Sequence, residues 1–437
     1  MGLGDSPILS PAFLALLRRA WKEPLHPRDL SEADLPEGCG AQEVWEALVA
    51  LRHAQAFRSS RGACAASPVA SDWHTVTERL SRTLADIDRL TRRGSRLDEL
   101  AQARDSRAFI TQQYVEEAVC NLRFDGYAVG YEDVRAVLRG ERPPVTDGER
   151  IAVNFHSLMR ELPSLADRLP FDQAALEGFY AQLLAGVEDR TSRAHGRGPE
   201  GLVPRSPLEE HYAESFAPEQ VSRASLQTPI DVAHGGGSDP RRHPIMESML
   251  VNCQFWRAPL FPLCNNLMGC VASRYYLVRK GYPVFRYVPK IMILEKWKHG
   301  GYQGVAAFSY EETLERVESD RDWTFYYDTV MGLMLREVRA MERALLQRAA
   351  LDDVELDLAE HVPYLSYRQR EVLRRAILAQ GAEFTIAAQR ERYGVVYSTA
   401  RADLEDLVDR GFLDRARKGR AFVYRAAAGL RDNLRAL

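Results

Sequence analysis

The run PLFPLCNNLMGC, residues 259 to 270, concentrates side chains whose types and spacing could do chemistry. Cys264 stands at the predicted start of a helix, Cys270 follows inside it, and Cys253 lies on the predicted helix before the run. Unpaired N–H groups at a helix start lower a thiol's pKa, which suits Cys264 to act as a nucleophile, with Cys270 as a second catalytic candidate. A thiolate also suits a soft metal or a thiolate-ligated haem, although no ligand set names the metal. The surrounding pocket candidates are Pro259, Phe261, Leu263, Asn265, Asn266, Leu267 and Met268, with His243 upstream. Arg257 and Arg274 are either anion contacts or solvated helix-face residues, and His234, His243 and His299 are the histidines placed to reach the run. The alternative stays open that the thiols are simply buried, since free cysteine commonly serves as a small apolar side chain. No glycine-rich nucleotide fingerprint, HExxH, GxSxG or zinc spacing names a reaction class.

Helices must position these groups, because helical periodicity dominates the chain. Val76, Leu80, Leu84, Ile87 and Leu90 recur every three or four residues, predicting an amphipathic helix from Trp73 with Ser71 or Asp72 as its cap. Tyr327, Met331, Met334, Val338, Met341 and Leu345 mark one stripe of a long helix, read as core packing. From about 190 to 240, Gly, Pro and Ser break every period, which predicts a long loop region. At the C-terminal end, YRQREVLRRAILAQ, FTIAAQRERYG and STARADLEDLVDRGFL read as three helices, and DRARKGRAFVYRA as a two-stranded wing. That order predicts a winged helix-turn-helix. Its third helix sets Arg401 against Asp403, Glu405, Asp406 and Asp409, a charge count that favours a structural or protein-docking role over DNA binding. Arg401, Arg417, Lys418 and Arg420 are the candidate contacts to DNA or a protein partner.

HPIMESMLVNCQFWRAPLFPLCNNLMGCVASRYYLVRKGYPVFRY resembles the core of the Fic family: a helix, a loop of pattern HPFx(D/E)GNGRxxR, and a second helix ending before Gly-Tyr. VEEAVCNLRFDG resembles the family's inhibitory helix, with Asn121 and Asp125 at its motif positions. DGERIAVNFHSLMREL, QEVWEALVALRHAQ and the terminal segment extend the likeness over most of the chain. Typical members transfer AMP from ATP to a protein hydroxyl. The resemblance places Pro259 where the family has its general base, Leu263 where an acid holds Mg²⁺, Leu267 and Cys270 where arginines clamp phosphate, and Cys264 and Asn266 where glycines stand. Asn265 and Phe261 are retained. Proline accepts no proton and leucine holds no metal ion, so Mg-ATP is not expected as a ligand and AMP transfer is excluded as a reading.

The 437 residues carry 58 basic and 61 acidic side chains, a net charge of -3, which gives no bulk reason for nucleic-acid or membrane binding. Six cysteines without a CxxC pair, and no long apolar run, point to a reducing, cytoplasmic setting without a membrane. The expected fold is mainly α: an N-terminal helical region (1–105), a Fic-like bundle (106–350) with a flap at 190–240, and a winged helix (351–437). Two functions compete. In one, the former nucleotide pocket takes a less charged small molecule, using Cys264 or a bound cofactor. In the other, the chain is a non-catalytic regulator acting through its winged helix on DNA or a protein. The resemblance also implies a homodimer.

Overall fold

The computed structural model describes residues 10–58, 73–103, 106–188, 226–235, 242–257, 260–320, 322–362, 364–379, 381–418 and 421–435. They are mainly helical. The chain forms two compact units, one of Met1–Gln102 with Arg107–Met341 and the other of Ala103–Ser106 with Glu342–Leu437. Both regions that the sequence reading divides at residue 105 thus fall almost wholly in the first unit.

The first unit opens with α1 (Pro11–Lys22) and α2 (Ala41–Gln55), then the short antiparallel ribbon β1 (Phe57–Arg58) and β2 (Trp73–His74). α3 (Glu78–Thr91), α4 (Arg96–Gln102), α5 (Arg107–Phe124), α6 (Tyr131–Leu138), α7 (Asp147–Arg168) and α8 (Gln173–Leu183) follow. After them come α9 (Gln227–Ala233), α10 (Pro244–Arg257), α11 (Asn265–Arg279), α12 (Lys290–Lys298), α13 (Tyr310–Asp320) and the long α14 (Thr324–His361), whose residues from Glu342 on belong to the second unit. Leu80, Leu84, Ile87 and Leu90 of α3 are buried as the periodicity requires, but the helix starts at Glu78 rather than Trp73. Thr77 caps it, its hydroxyl accepting from Leu80 N at 3.1 Å, while the Trp73 carbonyl accepts from Trp323 N at 2.8 Å. A backbone committed to strand and bridge cannot begin a helix, and Ser71 and Asp72 lie outside the described residues.

The α14 stripe from Tyr327 to Leu345 is buried throughout, consistent with core packing. Most of the expected flap at 190–240 lies outside the described residues, yet 227–233 form α9 instead of loop. Its Ile230, Val232 and Ala233 are buried, and that burial outweighs the local Gly-rich signal beyond it.

α10 and α11 pack tightly at Gly269. A Cβ there would stand 2.5 Å from Asn252 Oδ1 and 3.0 Å from Phe255 Cβ. Gly269→Ala is therefore expected to cost about 1–3 kcal/mol by overpacking, read from urea unfolding midpoints at unchanged slope.

In the second unit α15 (Tyr367–Leu378) begins at a capping box of Ser366 and Gln369, and α16 (Ile386–Tyr393) at a Thr385 cap. Gly394, at φ 61°, turns the chain into α17 (Tyr397–Asp409). The hairpin β3 (Leu413–Lys418) and β4 (Ala421–Ala426) pairs from Leu413 with Ala426 to Lys418 with Ala421, and α18 (Leu430–Arg435) closes the unit. Leu373, Phe384, Leu404, Leu407, Phe412 and Tyr424 form its buried core.

Candidate functional site

The loop joining α10 to α11 is held by its own polar residues. Asn265 brackets Phe261, with Oδ1 accepting from Phe261 N at 3.0 Å and Nδ2 donating to Phe261 O at 2.7 Å. The Phe261 ring stacks on Tyr180 with centroids 4.3 Å apart and lies parallel to Phe255. Asn265 is therefore spent on loop shape. Cys264 precedes α11 at φ 57°, the only non-glycine in the left-handed region among the described residues. That is a backbone glycine adopts freely and other residues at some cost, and it falls where the resemblance places a glycine.

The start of α11 is an anion seat, and the chain fills it. Gly126, at φ 85°, ends α5 and turns Asp125 toward α11. Asp125 Oδ1 accepts from the Asn266 backbone and side chain, both at 2.9 Å, and Oδ2 accepts from Leu267 N at 3.0 Å. Burial pushes its carboxyl up to about 6, against the lowering pull of those N–H donors. An activated Cys264 loses its physical basis here, because the N–H groups that would favour a thiolate already serve Asp125. The buried Cys264 thiol donates to Tyr127 OH at 3.8 Å. Asn121 has no part in this contact and donates to Glu117 O within its own helix at 2.9 Å.

Two turns earlier on α5, Glu117 meets the middle of α11. Its Oε1 lies 2.8 Å from Arg274 Nη2 and accepts from Cys270 Sγ at 3.5 Å, while Oε2 is buried without a hydrogen-bond partner among the described residues. Arg274 also contacts Cys270 and donates to Phe285 O at 3.1 Å and Val288 O at 2.8 Å. At 1% exposure it is neither a solvated helix-face residue nor an open anion contact. Lys290, at the start of α12, donates to Ser273 Oγ at 2.8 Å. Burial, with the Arg274 charge nearby, lowers its ammonium pKa to about 7. Leu263, Leu267 and Met268 are buried in the same interior.

The histidines do not join the loop. His243 Nδ1 accepts from Ile245 N at 3.3 Å and its Nε2 faces Asp88 at 3.4 Å, at the opposite end of α10, about 20 Å of helix away. Burial lowers its pKa. His234 Nε2 bonds Phe171 O at 2.8 Å, and His299 lies 3.5 Å from Glu295. Pro259 and the Arg257 side chain fall outside the described residues. Among the described residues no group of three or more His, Cys, Asp or Glu could hold a metal ion. Sequence reasoning missed Glu117 and Lys290. Glu117 sits eight residues before Asp125 on a helix already singled out, which was a usable signal. Nothing local marks Lys290.

In the second unit, Arg401, Arg417 and Lys418 are exposed, and Arg420 lies outside the described residues. Three of the four acids of α17 are bonded within the unit. Asp403 takes a two-point contact from Arg368, Asp406 bonds Gln369 and Arg410, and Glu405 bonds Arg415 and Tyr424.

No family model matches the chain. No curated protein matches it either. Among solved structures it is similar to a Fic family protein from Desulfovibrio desulfuricans, known from a crystal structure at 2.70 Å resolution. The two are 17% identical, the likeness covers 81% of this chain and 98% of that one, and the TM-score is 0.41. At that TM-score the likeness carries no weight for function, which has to be read from the residues. No described helix is long and apolar enough to cross a membrane.

Proposed function

We propose that this chain is a Fic-like protein without AMP-transferase activity that works by binding, as a regulator. The observation that carries the reading is Asp125, whose carboxylate takes the N–H groups at the start of α11. A helix start seats an anion through those same groups, so a nucleotide phosphate would have to displace an internal carboxylate and meet its charge. The residues around the seat do not fit a Mg-nucleotide. Leu263 and Leu267 bring neither a metal-binding acid nor a guanidinium, and Arg274 is committed to Glu117. A repurposed apolar pocket is less well supported, because Leu263, Leu267 and Met268 are spent on the interior and the Cys264 thiol is turned to Tyr127.

Calorimetric titration with Mg-ATP and incubation with labelled ATP test this reading. The expected result is no tight binding and no transferred label. Asp125→Ala is expected to cost about 0.5–2 kcal/mol of stability, as the loss of a helix-start acceptor does, and still to transfer nothing. Tight Mg-ATP binding or label transfer by the unaltered protein would overturn the proposal.

A further inference from the structure

We infer that the second unit docks on double-stranded DNA through the outward face of α17 together with the β3–β4 hairpin. The inference rests on the regulator reading for its biological meaning only, since DNA binding and nucleotide transfer are measured separately.

Four acids on α17 make that helix look unsuited to phosphate, but three of them are engaged within the unit. Asp403 is gripped by Arg368 of α15, at 2.7 and 3.1 Å. Asp406 accepts from Gln369 at 2.7 Å and from Arg410 at 3.0 Å. Glu405 accepts from Arg415 and Tyr424 and lies 3.9 Å from Arg401, so two arginines and a phenol share one carboxylate. Among these four acids Asp409 is the exposed one with no ion pair among the described residues, three turns from the start of the helix.

What α17 presents outward is Tyr397, Ser398, Arg401 and Ala402, all exposed. The hairpin extends this face. Strand alternation puts Arg415 and Arg417 on one side of β3, opposite Tyr424 and Phe422. The hydrogen bond from Tyr424 and the contacts from Arg415 to Glu405 fix that side against α17. Arg417 has no ion pair among the described residues, and Phe422 is 44% exposed beside Arg415. On the other side of the hairpin Lys418 and Arg425 share the single carboxylate of Glu383. The combined face therefore carries three arginines against two acids, the already shared Glu405 and Asp409 at the far end of the helix, with a serine hydroxyl and a tyrosine ring at the helix start.

Excess guanidinium complements the phosphate backbone, and Arg and Ser side chains on an exposed helix are suited to base edges in a major groove. A duplex is favoured over an acidic protein partner because the cations are spread over a helix and an adjoining hairpin, the two elements that meet groove and backbone together in this topology.

The test is fluorescence anisotropy of a labelled mixed-sequence DNA duplex with the full chain, titrated across salt concentrations. Salt-dependent binding is expected, with Kd of about 10⁻⁴–10⁻⁶ M near physiological salt for a non-cognate sequence. The pair R401E and R417E should weaken binding at least about tenfold at low salt and flatten the salt slope by roughly two. Arg168→Glu, an equal charge change per site on an exposed residue of the first unit, should leave binding unchanged. Unaltered melting of each variant guards against misfolding. No duplex binding at low salt, equal or tighter binding of the single strand, or equal loss in the Arg168 control and the paired variant would each overturn the inference.

Discussion

Arg274→Met is expected to destabilise the protein by about 3–5 kcal/mol, because it strands the Glu117 carboxylate inside the helical interior. Arg274 and Glu117 have side chains 1% and 3% exposed and lie 2.8 Å apart. The guanidinium also satisfies two backbone carbonyls, Phe285 O and Val288 O, which the variant would leave short of donors. Since Glu117 Oε2 has no hydrogen-bond partner among the described residues even now, the pair has little reserve with which to absorb the loss. Removing both charges is a different matter. Glu117→Leu combined with Arg274→Met should recover much of the stability, because desolvation of two buried ions offsets most of their attraction. Guanidinium unfolding of the two single variants and the double variant gives the coupling directly. A cost below about 1 kcal/mol for Arg274→Met, the value of an exposed pair, would show that α5 and α11 do not enclose it as described.

The second large effect is a stability that rises with pH above neutrality. Lys290 is 8% exposed, its one recorded acceptor is Ser273 Oγ, and burial lowers its pKa to about 7 from the usual lysine value. Between about pH 7 and about 10.4 the unfolded chain holds a proton that the native chain has released. Native stability should therefore grow through that window, by up to about 1.4 kcal/mol per pH unit from this group alone, and the penalty should be complete below pH 7. Lys290→Met removes the titrating group while keeping an unbranched side chain in place. The difference between the unaltered protein and this variant, followed by denaturant unfolding from pH 7 to 9.5, isolates the contribution from other groups that titrate there. A difference that does not change with pH would mean that Lys290 keeps its proton, paired more closely with Glu117 than the geometry shows. Glu117 pairs with Arg274 and its charge also acts on Lys290, so substitutions of Lys290 and Arg274 should not add.

Much of the local structure was legible in the amino-acid order. Leu80, Leu84, Ile87 and Leu90 faced the interior as their spacing required, and the 327–345 stripe became a buried helix face. The loop between α10 and α11 fell where the resemblance placed it, and the three helices and hairpin at the C-terminal end fell where turn residues and periodicity placed them. Helix starts were less legible: α3 began at Glu78 behind its Thr77 cap, since that cap and a backbone already paired at Trp73 outweighed the apolar count.

What the chain does with its polar residues was decided by the tertiary structure alone. Asp125 fills the start of α11 from 141 residues away in sequence, and Glu117 meets Arg274 across two helices. Asp403 loses its effect on the surface of α17 because α15 supplies Arg368, and Asp406 is bonded to Gln369 of α15. His243 is a helix length from the loop, since α10 carries it to the opposite end. Periodicity records which face of an element is apolar, an interaction between near neighbours and solvent. A charge or a hydrogen-bonding group is defined by the partner that folding brings to it, and neither composition nor spacing carries that partner's address.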